Sequence, residues 1–179
     1  MDKISGVTQY KGFTKFYFLR ILYKIIQIGN LSKTNSKILD FGCGLGLLKE
    51  ILGAHKVINF DILPALTDVE DWKTTKFDIL VANQVFCTFK KNNLEVLLKD
   101  LRDHNPDLTL IVGISKRGFL NKIGMLLSGR QDAHDSTVLD YDEEMLIYSE
   151  AGLNVLERVN VFYLCDILKM SFKNKENDH

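Results

Sequence analysis

The residues with the clearest chemical potential lie in Asp40-Phe-Gly-Cys-Gly-Leu-Gly46. Glycines 42, 44 and 46 carry no Cβ, so the backbone there is free to take positive φ and to approach a ligand closely. Leu45 to Leu52 follow with helical spacing. Amide N–H groups at a helix start favour a carboxylate or phosphate, so an anionic group is expected at the turn. Nineteen residues after Gly42, Asp61 ends a second apolar run that begins at Lys56. A carboxylate at the carboxyl end of the next parallel strand is able to accept hydrogen bonds from both ribose hydroxyls of a nucleoside. Capping the turn before Pro64 is the plainer use of an aspartate at this position. His134 is the one histidine between Ser115 and Asp140. It titrates near neutrality and suits the deprotonation of an acceptor hydroxyl; a surface or hydrogen-bonded structural histidine is the alternative.

The elements that must position these groups read as alternating strands and helices. Lys37 to Phe41 form a short apolar strand before the glycines, and Phe77 to Asn83 a continuous apolar strand covered on both faces, as parallel sheets are. Asn83 and Gln84 emerge at its carboxyl end, where open α/β sheets bind ligands. A dinucleotide fingerprint needs a glycine at 47, where this chain has Leu47, which counts against NAD. The D-x-G-x-G-x-G spacing of Asp40 to Gly46 resembles motif I of the class I S-adenosylmethionine-dependent methyltransferases, and F-D-I-L-V-A-N at 77–83 resembles the fourth strand of that family.

The resemblance spans about Lys37 to Met170. It implies a doubly wound, mostly parallel α/β sheet of the Rossmann-like type, S-adenosylmethionine as cofactor, and methyl transfer. By carry-over, Asp40 with Gly42, Cys43 and Gly44 holds the methionine end, Asp61 the ribose, Ile62 one face of the adenine, and the Asn83 carbonyl the ammonium group. Thr67 to Trp72 is similar to the acidic segment after the family's third strand, which assigns Asp68 and Val69 to the adenine edge; a solvated acidic loop is the bland alternative. Too few residues separate Asp61 from Asp68 for the usual helix, so the third-strand region is expected to be shortened. Many relatives carry a histidine after the fourth strand; this chain has Val85-Phe-Cys-Thr-Phe89, and Cys87 reads as an inert buried thiol.

Elsewhere, Phe13 to Ile28 read as a helix ended by Gly29-Asn30, packing its aromatic side on the sheet, with peripheral membrane contact the lesser reading. Leu94, Leu97, Leu98 and Leu101 fall at helical spacing, Leu108 to Gly113 form a strand, Tyr141 to Gly152 a helix, and Leu153 to Val161 and Phe162 to Phe172 the last two strands. The insert from Ser115 to Asp140 sits where relatives place the acceptor, and its Lys116, Arg117 and Arg130 suit an anionic acceptor; the bland alternative is that scattered loop cations face water. The expected organisation is an N-terminal arm and helix over 1–36, a cofactor-binding domain over 37–172 and a polar tail over 173–179.

A length of 179 residues with 46% apolar and 26% charged residues suits one globular domain. Lys plus Arg equals Asp plus Glu, which gives no electrostatic case for nucleic acid. Three scattered cysteines suggest reduced thiols in the cytoplasm, Cys and His spacing fits no metal site, and the N-terminus lacks a basic start and apolar run. The expected acceptor is a small molecule or a saccharide or lipid-linked intermediate. A noncatalytic methyltransferase-like subunit that binds a protein partner is the alternative.

Overall fold

The computed structural model describes residues 12–116 and 138–173, with side chains from residue 16 onward. Six strands form one sheet: β1 (Ile38–Phe41), β2 (Val57–Phe60), β3 (Ile79–Asn83), β4 (Thr109–Ser115), β5 (Leu153–Val161) and β6 (Cys165–Phe172). Their order is β2-β1-β3-β4-β6-β5. The first four run parallel, and β6 lies antiparallel between β4 and β5. Chain direction across the sheet reverses at β1, with β2 on one side and β3 on the other, so a crevice opens at the carboxyl ends of these strands.

Both faces are covered, as the apolar strands require. On one face α1 (Gly12–Ile28) and α2 (Leu47–Leu52) pack through Ile21, Ile25 and Leu48, with Leu31 from the turn after α1, against Ile38, Val57, Val81 and Ile111. On the other, α3 (Lys91–His104) and α4 (Tyr141–Glu150) bury Leu94, Leu98, Leu101, Ile147 and Tyr148 against Leu39, Leu80, Leu110 and Leu168. The four leucines expected from helical spacing, 94, 97, 98 and 101, are the buried ones of α3. A capping box fixes the start of α4: Asp140 accepts from the Glu143 amide, and Glu143 accepts from the Asp140 amide.

One expectation needs correction. The packing face of α1 is aliphatic rather than aromatic: Ile21, Leu22, Ile25, Ile26 and Ile28 are buried and Tyr17 packs beside them, while Phe16 and Tyr23 are more than half exposed. Aliphatic side chains at i, i+4 spacing form the narrower stripe that fits the sheet. The third-strand region is reduced, as the short spacing implied, and the reduction is complete: no strand forms among residues 61–78. A 3₁₀ turn, Trp72–Thr74, takes its place, and Trp72 packs on Phe77 and His104 with ring centroids 6.2 and 5.7 Å apart. The outer edge of β2 is closed instead by Asp68, whose carboxylate accepts from the Asn59 amide at 2.6 Å while its own amide donates to the Asn59 carbonyl at 2.9 Å. A single residue thus satisfies backbone groups that a third strand would pair.

Candidate cofactor site

The turn after β1 has Gly42, Gly44 and Gly46 at φ values of 72°, 54° and 71°. Their needs differ. A Cβ on Gly42 would lie 2.5 Å from a Val85 methyl, so the turn and the segment after β3 touch too closely for any side chain. A Cβ on Gly44 would meet nothing within 4 Å; there the left-handed backbone faces open space, the arrangement a ligand lying on the turn requires.

A carboxylate does meet this turn, as the sequence suggested, but it is the chain's own Asp61. Gly42 and Cys43 both donate to the Phe60 carbonyl, at 2.7 and 3.2 Å, and Gly44 donates to the Asp61 carboxylate at 3.1 Å. The end of β2 has taken them. Two carboxylates then face the crevice. Asp61 is turned toward the glycines, its second oxygen accepting from the Leu63 amide at 3.1 Å. Asp40, only 7% exposed, receives no hydrogen bond among the described residues. Burial first, and the neighbouring Asp61 charge second, push the Asp40 carboxyl up to about 7. A crevice with two acids favours a cationic ligand that also offers hydroxyl donors.

Buried polar atoms at the same strand ends also lack partners. Asn59 on β2 pairs with Asp40 on β1 and so shares its face of the sheet; its Oδ1 is buried and unbonded, as is Asn83 Oδ1, whereas the Gln84 side chain is engaged with Tyr17 and Cys165. Gln84 adopts φ 58°, a left-handed conformation unusual for glutamine, immediately after β3. Buried polar groups in proteins are ordinarily satisfied, so orphans gathered at one strand edge fit a bound polar molecule. Asn59 was the residue sequence reading missed, although a lone polar side chain within β2 was a usable signal.

The remaining predicted residues fall around this crevice. Ile62 is 90% exposed beside Asp61, an apolar surface free to lie against a ring. Val69 is half-buried, its amide only loosely held by Thr67 Oγ1 at 3.4 Å. The Asp68 carboxylate is engaged with Lys49 at 2.6 Å as well as with Asn59. Burial alone would raise its pKa, but those two hydrogen bonds and the Lys49 charge hold it below the ordinary value. The Cys43 thiol, beside the Leu66 carbonyl, is pushed up to about 12 by burial first and then by Asp40, and stays protonated. Val85 to Phe89, the segment after β3, contain no histidine. His134 lies outside the described residues.

Sheet order, glycine turn and acidic second strand together define the class I methyltransferase fold, without a third strand. The sequence model of the family described as "Methyltransferase domain" matches residues 13–117, more than half of the chain, and the chain belongs to that family of S-adenosylmethionine-dependent enzymes. No curated protein sequence matches it. Among solved structures it is similar to the mitomycin 7-O-methyltransferase MmcR at 13% identity and a TM-score of 0.61, over 85% of this chain and 54% of that one, so it spans about half of MmcR. It is similar as well to magnesium protoporphyrin IX methyltransferase from Synechocystis, with bound SAH, at 14% identity and a TM-score of 0.58, over 94% and 90% of the two chains. The N-methyltransferase NodS from Bradyrhizobium japonicum, in complex with S-adenosyl-L-homocysteine, is 15% identical with a TM-score of 0.61, over 88% of each. Among the described residues no helix is long and apolar enough to cross a membrane, and no group of side chains could hold a metal ion.

Proposed function

We propose that this chain transfers the methyl group of S-adenosylmethionine to a small molecule, or to a saccharide or lipid-linked intermediate. The observation that carries the reading is the pair of carboxylates across the glycine turn: Asp61, aimed at the turn, and Asp40, buried and without a partner. In this reading Asp61 accepts from the ribose hydroxyls, Ile62 covers one face of the adenine, and the Val69 and Asp68 backbone borders its edge. Asp40 and the Asn83 carbonyl receive the ammonium group, and Gly44 lets the backbone lie against the methionine chain with Gly42 and Cys43 beneath it.

When bound, the cofactor supplies a methyl carbon made electrophilic by its sulfonium. The chain's own contribution is alignment of acceptor, methyl carbon and sulfur. His134 is the proposed base where the acceptor atom carries a proton. Neutral overall charge favours a small or lipid-linked acceptor over nucleic acid, and tight, salt-sensitive RNA binding would contradict that choice.

Calorimetric titration with S-adenosylmethionine tests the reading. Heat is expected from the native chain, with affinity about tenfold lower or worse in Asp61→Ala, which loses charge-assisted bonds to ribose. A native chain that gives no heat would instead be a noncatalytic methyltransferase-like subunit that binds a protein partner.

A further inference from the structure

A second polar cluster lies at the carboxyl edge of the sheet, on strands two to four away from β1 and its glycine turn. Asp166, at the start of β6, is wholly buried yet accepts four contacts. Lys116 Nζ, just past β4, reaches it at 2.9 Å, Asn160 Nδ2 at 2.7 Å and the Tyr141 hydroxyl at 2.8 Å; the Arg158 guanidinium completes the set. Lys116 and Arg158 also sit over the Tyr141 ring, 5.6 and 5.8 Å from its centroid. One carboxylate cannot neutralise two cations. Asp142, the neighbouring acid on α4, is exposed and bonds to neither of them. Among the described residues a positive charge is therefore left over, and because each cation gives Asp166 one contact, most of their N–H donors have no partner there. Their side chains are 32% and 50% exposed, so those donors reach solvent.

The hairpin beside the cluster is strained. Phe162 and Tyr163 both adopt left-handed conformations, φ 53° and 59°, which aromatic residues seldom accept. Asn160 holds the strain in place: its Oδ1 accepts from the Tyr163 amide at 2.7 Å, while its Nδ2 donates to Asp166. The result is a Tyr163 ring 80% exposed on the turn whose Asn160 also donates to Asp166. A hairpin needing only to turn would use asparagine and glycine. This one keeps aromatic side chains at a cost in backbone energy.

We propose that Lys116 and Arg158, anchored on Asp166, bind an anionic group of the methyl acceptor, a carboxylate or phosphate, while Tyr163 supports its apolar body. The inference rests on the cofactor reading above and adds the acceptor's chemistry. Strand spacing of about 4.8 Å puts the strands that carry the cations, two and four away from β1, about 10–19 Å from the glycine turn, so the anion lies at the far end of the acceptor from the atom that is methylated. The guanidinium and ammonium serve as planar and point-charge donors to the same group.

The test uses the full chain saturated with S-adenosylhomocysteine and titrated calorimetrically with phenyl phosphate, benzoate and phenol. At least one anion should bind where phenol at the same concentration does not, and the two anions distinguish phosphate from carboxylate. Arg158→Gln and Lys116→Gln should each weaken that anion about tenfold, with S-adenosylhomocysteine affinity unchanged and Arg158→Lys recovering part of the loss. Should Lys116→Gln unfold by leaving Asp166 short of a partner, Arg158→Gln, whose head is half exposed, decides alone. Phenol binding as well as the anions, or full anion affinity in Arg158→Gln, overturns the proposal while leaving the cofactor reading intact. Absence of heat with S-adenosylhomocysteine itself overturns both.

Discussion

Asp40→Asn should make the ligand-free protein more stable and the enzyme worse. In the folded chain the Asp40 carboxyl is held near 7, against an ordinary 3.8, by burial first and by Asp61 second. The folded state therefore binds a proton more tightly than the unfolded chain. This group's contribution to stability is fully present below about pH 4 and lost as pH rises through about 7. At pH 8 the cost of keeping the carboxylate ionised in that site approaches about 4 kcal/mol. Asparagine keeps the shape without the charge. With about 2–4 °C of melting temperature per kcal/mol for a chain of this size, the variant should melt about 5–15 °C higher at pH 8 and show no gain near pH 4. Cofactor binding should move the other way. Native affinity for S-adenosylmethionine should rise with pH up to about 7, where Asp40 no longer has to release a proton to pair with the ammonium group, and then level off. The variant should bind about tenfold or more weakly with no such rise. Differential scanning fluorimetry across this pH range, paired with calorimetry, reads both effects. A variant less stable than the native chain at every pH, or one that binds the cofactor as well, would refute the argument.

Further outcomes follow from the same geometry. Gly44→Ala should cost about 1 kcal/mol in chemical denaturation, because the position has φ 54°, and should weaken S-adenosylmethionine well beyond that by placing a methyl group in the open space over the turn. Asp68→Ala should lower stability by about 1 kcal/mol, since its ion pair with Lys49 is partly screened by solvent. Its calorimetric affinity for the cofactor should change little if the backbone, not that carboxylate, borders the adenine. The Asp68 contribution to stability, coming from a lowered carboxyl pKa, should disappear as pH falls below the ordinary aspartate range.

Local signals carried the strands and the turn. Apolar runs ending in acids gave β1 and β2, the run before Asn83 gave β3, and the leucines of α3 gave its buried face, because each depends on a repeat contained in one segment. The missing third strand was half legible: the short spacing from Asp61 to Asp68 announced a reduction, but Trp72, Phe77 and His104 fill the gap only through tertiary contacts. The bend from β5 to β6 was illegible, since Phe162 and Tyr163 are not turn formers and their conformation depends on Asn160 and Asp166. The acceptor-side cluster was hidden for a similar reason. Lys116, Tyr141, Arg158 and Asp166 come from four elements, and only the antiparallel insertion of β6 beside β4 makes them neighbours. The source of the anion at the turn was illegible, because the Asp61 carboxylate that meets the Gly44 amide, like the Phe60 carbonyl that holds Gly42 and Cys43, is brought there by the pairing of β2 with β1, which spacing along the chain does not reveal.

The most direct measurement is a crystal structure of the full chain grown with S-adenosylhomocysteine. The account predicts ribose hydroxyls on the Asp61 carboxylate, the ammonium group within hydrogen-bonding reach of Asp40, and the thioether chain lying over Gly44. Density for the nucleoside away from Asp61, or a Val85 side chain closing the space above the glycines with no ligand between, would contradict it.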